Sequence, residues 1–277
     1  MDRFLMVGRQ HLYLSLEEAK NSSILRPFAE KLEGLRSASG GYSEAFLREL
    51  GAGEVESLDY SGYEGATLLH DLNQPVPMEW EQGYDLILDG GSLEHVFQYP
   101  TALASCMRMV KRGGHFVTIA PSNNFSGHGL YQFSAELFFR VFSRENGFSL
   151  PLVALAEARS GGRIYRIDDP AKLRHRVLFG GKGPLILLVV ARRDEICPLF
   201  TNSPVQSDYA DFWRSGAGSQ ESPKRRLATL RSFLPFSLLQ RYDLWRIERR
   251  RRREASRGVH QVNSLAEAFH DVKDLHV

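Results

Sequence analysis

Cysteine is scarce: only Cys106 and Cys197 occur in 277 residues. They stand far apart and in no metal-ligand spacing, so neither a disulfide framework nor a zinc cluster follows from them, and a reducing compartment is the expected setting. Long apolar runs are missing too. Phe4 to Val7, behind an acid and an arginine, is too short for the core of a signal peptide, and Pro184 to Ala191 is far too short to span a bilayer. A cytoplasmic protein is expected. There are no internal repeats. The first strand-like run meets a single glycine, Gly8, where a nicotinamide cofactor's pyrophosphate would need a cradle of several. This argues against a hydride-transfer enzyme.

What is present suits a large core. Hydrophobic residues make up 43% of the chain and aromatics 11%, enough for one large domain or a domain with an appendage. Phe4 to Val7, Val55 to Leu58, Thr67 to Leu69, Leu86 to Leu88 and His115 to Ala120 read as short strands separated by helical patterns at Leu14 to Leu35, Tyr42 to Leu50 and before Lys111. That alternation predicts an α/β fold with a doubly wound, mostly parallel sheet. Leu150 to Glu157 and Leu185 to Val190 add two strands at a hairpin-like edge, for seven in all. A soft boundary near Ile196 separates residues 1–196 from a C-terminal helical extension over 197–277.

The strand ends carry the chemistry. Gly8, Asp59, Asp71 and Asp89 line up on one edge of such a sheet, where open α/β folds bind ligands. A carboxylate after the second strand can accept from both hydroxyls of a ribose, which suits Asp59. Asp71 can accept from an adenine amino group, with Tyr60 and Leu72 beside these acids, and Gly90 and Gly91 let backbone approach a ligand closely. Taken singly, each acid reads as well as a helix cap or turn former.

Tyr84 to Val96, Lys111-Arg112-Gly113-Gly114 and Phe116 to Ala120 together resemble the second half of class I S-adenosylmethionine-dependent methyltransferases, with Arg112 where that family usually has proline. Asn123 to Ser134, reading Asn-Asn-Phe-Ser-Gly-His-Gly-Leu-Tyr-Gln-Phe-Ser, resembles a bacterial subgroup of such proteins, some associated with surface-polysaccharide gene clusters. The resemblance implies a Rossmann-like methyltransferase fold with S-adenosylmethionine as cofactor. It also exposes a departure, since the family's first strand normally runs into a Gly-x-Gly-x-Gly-like loop and here it meets Gly8-Arg9-Gln10. Asp59 follows Gly8 by 51 positions, against about 20 in a compact nucleotide-binding βαβ unit. The extra length reads as a helical insertion over about 14–37 placed to cover the pocket, with Arg9 or Gln10 replacing some of the missing loop contacts.

Methyl transfer from a sulfonium needs alignment, exclusion of water and, for a hydroxyl acceptor, a base. His95 and His128 are the candidates, His95 reading equally as a packed helix-entry residue. Asn123, Asn124 and Tyr131 around His128 suit a polar, hydroxylated acceptor such as a sugar. Glu94 reads as a carboxylate that orients a neighbour. No metal is required by this reading; Asp71, Asp89, Glu94 and the two histidines could be arranged as an oxygen-rich cation site, as in some catechol-type methyltransferases, but nothing in their spacing singles that out. Glu136 to Phe142, behind Ser134 as helix cap, carries aromatics at core spacing.

Between Arg246 and Arg257, seven arginines face two glutamates in a chain of formal net charge +2, so the basic character belongs to one tail. With the apolar residues of 227–257 it suits peripheral contact with an anionic membrane, or packing on the protein's own domain or on a second copy in a homo-oligomer. Nucleic acid is not favoured. The reading is therefore an O-methyltransferase of a sugar or small polar metabolite, with a non-catalytic binding or scaffold protein of the same fold as its rival.

Overall fold

Apolar residues at every position, or at every second one, decide where the strands lie and how deep each is buried. The computed structural model describes residues 1–159, 161–179, 183–214 and 258–269. Its strands are β1 (Arg3–Val7), β2 (Glu54–Asp59), β3 (Leu68–Leu69), β4 (Tyr84–Asp89), β5 (Val110–Asn123), β6 (Phe148–Glu157), β7 (Ile164–Ile167), β8 (Leu185–Arg193) and β9 (Val259–Val262). The helices are α1 (Leu16–Asn21), α2 (Leu32–Ala38), α3 (Glu44–Glu49), α4 (Tyr99–Met109), α5 (Ala135–Val141), α6 (Pro170–Leu173), α7 (Ser207–Arg214) and α8 (Leu265–Phe269).

The strands form one sheet in the order β3-β2-β1-β4-β5-β8-β6-β7-β9. From β3 to β5 every pairing is parallel, and from β5 to β9 every pairing is antiparallel. The seven-stranded, mostly parallel sheet expected from sequence is thus corrected to a mixed sheet, of nine strands among the described residues. The two additional strands are β7 and β9, four residues each, and charged or polar residues interrupt their apolar positions at Arg166 and at His260-Gln261. Such short, half-polar strands carry little periodic signal.

Chain order reverses between β1 and β4, which makes their carboxyl ends the topological switch point of the parallel half. Alternate residues of β1 face two cores. Leu5 and Val7 join the main core with Leu103 and Met107 of α4 and Phe138 of α5, whereas Phe4 and Met6 pack with Val55 and Leu47 on the other face. Gly113 turns left-handed inside the Lys111–Gly114 segment, where Tyr84 pairs with Val110 but Leu86 pairs with His115, so the residues between bulge outward.

The segment between β1 and α3 is helical as expected but broken. A capping box at Ser15 and Glu18 starts α1, Ser22 ends it in extended backbone, and Pro27 enters a 3-10 turn before α2. Leu12, Ala19, Ala29, Leu32 and Phe46 give this segment a small core of its own. Gly51, at φ +100°, ends α3 as anticipated. Ser134 precedes α5 and its carbonyl accepts from the N–H of Leu137, but its hydroxyl makes no capping bond to the helix.

Candidate active site

The carboxyl ends of β1 and β4 are joined by side chains. Ser92, in the loop after β4, donates its hydroxyl to the carbonyl of Val7 at 2.8 Å. The amide Nε2 of Gln10 donates to the carbonyls of Val7 and Gly8 at 3.1 and 3.3 Å. Gly8 takes φ +72°, and a Cβ there would collide with the Ser92 hydroxyl. A Cβ on Gly90 would lie 2.5 Å from Oε1 of Gln10. Both glycines allow close approach: at Gly8 the nearest group is the Ser92 hydroxyl, and at Gly90 it is the flexible end of Gln10.

Asp89 closes β4 from inside. It is 1% exposed. Its Oδ1 accepts from the backbone N–H groups of Ser92 and Leu93 at 2.9 and 3.2 Å, and its Oδ2 from the Thr118 hydroxyl at 2.7 Å. Burial pushes its carboxyl up to about 6, against the pull of those three donors. Both oxygens are thus engaged by the protein, so Asp89, expected to touch a cofactor, instead holds the loop that follows.

Asp59 is different. It is half-buried beside Gly8, whose N–H bonds Leu58, and one carboxylate oxygen accepts from the N–H of Ser61 at 3.3 Å. Tyr60 next to it is 76% exposed. Asp71 accepts from the backbone and side chain of Asn73, which holds its carboxyl below the usual range, and Leu72 is buried in the core. Arg9 does not face this edge's crevice through a free guanidinium: it bonds Glu44 at 2.6 Å and the carbonyl of Glu64 at 2.6 Å, and stacks on Tyr42.

A second cluster forms where the loops after β4 and β5 meet. Leu93–His95 is a 3-10 turn that buries Glu94 and exposes His95. His128 comes to it from 34 residues away, its Nε2 3.2 Å from Oε1 of Glu94, and His95 Nε2 stands 3.9 Å from the same oxygen. The two imidazoles meet edge to face at 5.0 Å. Leu130 N–H donates to the carbonyl of Glu94 at 2.9 Å, and the Tyr131 hydroxyl to the carbonyl of Phe97 at 2.6 Å, which pins one loop on the other. Asn123 accepts from the N–H of Asn124, and the Asn124 side chain donates to the carbonyl of Gly183. The structure so brings His95 and His128 together, and turns Tyr131 and Asn124 toward protein partners.

Sequence reasoning missed Ser92 and Thr118, whose hydroxyls link β1 to β4 and β4 to β5. Only the register, with Asp89 opposite Thr118, reveals that pairing. A cleft of about 570 Å³ lined by Arg112, Gly113, Arg192, Asp194 and Glu195 lies at the amino end of β5, away from all these groups.

No family model matches the chain, and no curated protein matches it. Among solved structures it is similar to an S-adenosylmethionine-dependent methyltransferase from Mesorhizobium loti, at 16% identity over 69% of this chain and 90% of that one, with a TM-score of 0.37. It is similar to the 1,6-didemethyltoxoflavin-N1-methyltransferase of Burkholderia thailandensis, solved with S-adenosylhomocysteine, at 15% identity over 70% and 71% and a TM-score of 0.36. The antibiotic-resistance methyltransferase Kmr shares 11% identity over 70% and 88%, with a TM-score of 0.38. Likenesses of this strength assign neither family nor substrate.

Proposed function

We propose that the chain is an S-adenosylmethionine-dependent methyltransferase acting on an oxygen of a small, hydroxylated acceptor such as a sugar. The observation that carries this reading is the switch point between β1 and β4, with left-handed Gly8 at its mouth and Asp59 one strand away. The residues fit the nucleoside half of the cofactor: Asp59 has acceptor capacity to spare for ribose hydroxyls, and Tyr60 offers an exposed ring beside it. Room for the amino-acid half requires Gln10 to leave the crevice.

When bound, the cofactor supplies an electrophilic methyl carbon on a sulfonium. The chain's own work is to align the acceptor oxygen with that carbon, exclude water and remove a proton. With Nε2–H of His128 donated to Glu94, Nδ1 is the free nitrogen, and it would serve as the base that takes the proton of an acceptor hydroxyl. The buried carboxylate then pairs with the imidazolium, as in other carboxylate–histidine dyads.

A scaffold that keeps the fold without catalysis is the second reading, favoured by Gln10 lying across the crevice. Among the described residues no helix is long and apolar enough to cross a membrane. The proposed membrane, self-packing and homo-oligomer contacts of 227–257 lie outside the described residues. Calorimetric titration with S-adenosylhomocysteine tests both readings. Micromolar binding supports a cofactor site, and binding without turnover on any hydroxylated acceptor favours the scaffold. Absence of heat at millimolar ligand, in the wild type and in Gln10→Ala alike, overturns the cofactor.

A further inference from the structure

Glu94, His95 and His128 each offer one ligand atom, and these atoms all lie within 4.8 Å of one another. From this geometry we infer that the three side chains form a binding site for a divalent first-row transition ion such as zinc, which departs from the metal-free expectation of the sequence. The inference stands independently of methyl transfer, because its readout is the ion itself.

Two imidazole nitrogens and a carboxylate are the donor set of open zinc sites with three protein ligands, and two nitrogens make magnesium or calcium poor occupants. Tetrahedral ligands at about 2.1 Å from a metal stand about 3.4 Å apart. The carboxylate oxygen is 3.2 Å from His128 Nε2 and 3.9 Å from His95 Nε2, so small side-chain rotations complete the set.

A second observation concerns Glu94 alone. Its side chain is 1% exposed, Oε1 faces both rings, and Oε2 is buried with no hydrogen-bond partner. A buried carboxylate carries a desolvation cost unless a charge balances it, and an ion held at Oε1 by the three residues would supply that charge, with Oε2 free to join as a second ligand oxygen. The backbone is shaped to the same end. Gly91 and Gly129 both take positive φ, and a Cβ on either would press on the Glu94 side chain, at 3.2 Å from Oε1 and 2.9 Å from Cγ. Both histidine side chains are 51% exposed, which leaves the remaining coordination positions open to solvent and to an acceptor's oxygens. Ligation and proton removal are alternative uses of His128, since a neutral imidazole that ligates the ion through Nε2 carries its proton on Nδ1, the nitrogen that would otherwise act as base.

The test is equilibrium dialysis and calorimetry of the tag-free, chelator-stripped full chain with Zn²⁺, and Co²⁺ as a spectroscopic probe. The expected result is one equivalent of Zn²⁺, tetrahedral d–d bands with Co²⁺, and no comparable binding of Mg²⁺. Glu94→Gln, His95→Asn and His128→Asn should each weaken Zn²⁺ binding by roughly a hundredfold. Because both histidines are exposed, their variants remain informative even if Glu94→Gln fails to fold. Absence of stoichiometric binding, or binding unchanged in both histidine variants, overturns the site.

Discussion

Nε2 of Gln10 donates to the carbonyl of Val7 at 3.1 Å, so a residue just past β1 covers the crevice that its own strand opens. Releasing that side chain forfeits three long, weak hydrogen bonds, to Val7, Gly8 and Ser92, about 1–2 kcal/mol together. Gln10→Ala should therefore raise affinity for S-adenosylhomocysteine by about tenfold, as read by calorimetry. An unchanged or weakened affinity shows that Gln10 is a contact and not an obstacle.

The two glycines that face this crevice should differ in tolerance. A Cβ on Gly8 meets the Ser92 hydroxyl in a left-handed backbone, whereas a Cβ on Gly90 meets only the far end of Gln10. Gly8→Ala is expected to cost about 2 kcal/mol or more in urea unfolding and Gly90→Ala less than about 1. Equal losses would falsify this account.

Asp59 has few duties in the fold beyond one turn contact to Ser61. Asp59→Ala should lower nucleoside affinity at least about tenfold while leaving stability within roughly 0.5 kcal/mol. Comparing calorimetry with thermal unfolding separates the two effects.

Asp89 makes stability depend on pH in a defined direction. Its folded pKa of about 6 lies above the unfolded value near 3.9, so the folded state holds the proton more tightly. Stability from this group is fullest below about pH 4, falls as pH rises to about 6, and is level above. Asp89→Asn keeps an acceptor for the loop N–H groups and should flatten that stretch of the curve in urea unfolding. A slope identical to the wild type removes Asp89 as its source.

Arg193 is 3% exposed, and its Nη1 donates to the carbonyls of Met107, Arg108 and Val110 at the end of α4. Arg193→Ala removes three donated bonds at once, the carbonyl of Arg108 keeping the N–H of Gln82, and should cost on the order of 3 kcal/mol. Arg193→Lys should recover only part of it, because a point charge replaces a planar fork. Denaturant midpoints of the two variants provide the comparison.

The parallel half was legible because β1, β2, β4 and β5 carry dense apolar runs ending in an acid or a turn, and because helical period intervenes between them. The edge was not, since β7 and β9 take their strand character from pairing with neighbours: Ile164 opposite Val262 and Ile167 opposite Val259. At the candidate site the sequence identified His95 and His128 separately. Their convergence on Glu94 depends on how two loops dock, through Leu130 and Tyr131, which no local spacing encodes. The interior engagement of Asp89 was likewise hidden, because a carboxylate at a strand end looks the same whether it points to a ligand or into the core.

The place of β8 between β5 and β6 dictates the sequence in which a growing polypeptide can complete its sheet. Until residue 193 has emerged, β6 and β7 have each other but no seam to the parallel half, and the outer side of β5 stays bare. That bare margin is an adhesive strand edge of the kind that promotes intermolecular pairing. Ribosome-stalled chains ending before β8 should therefore be more prone to self-association than chains that extend past it.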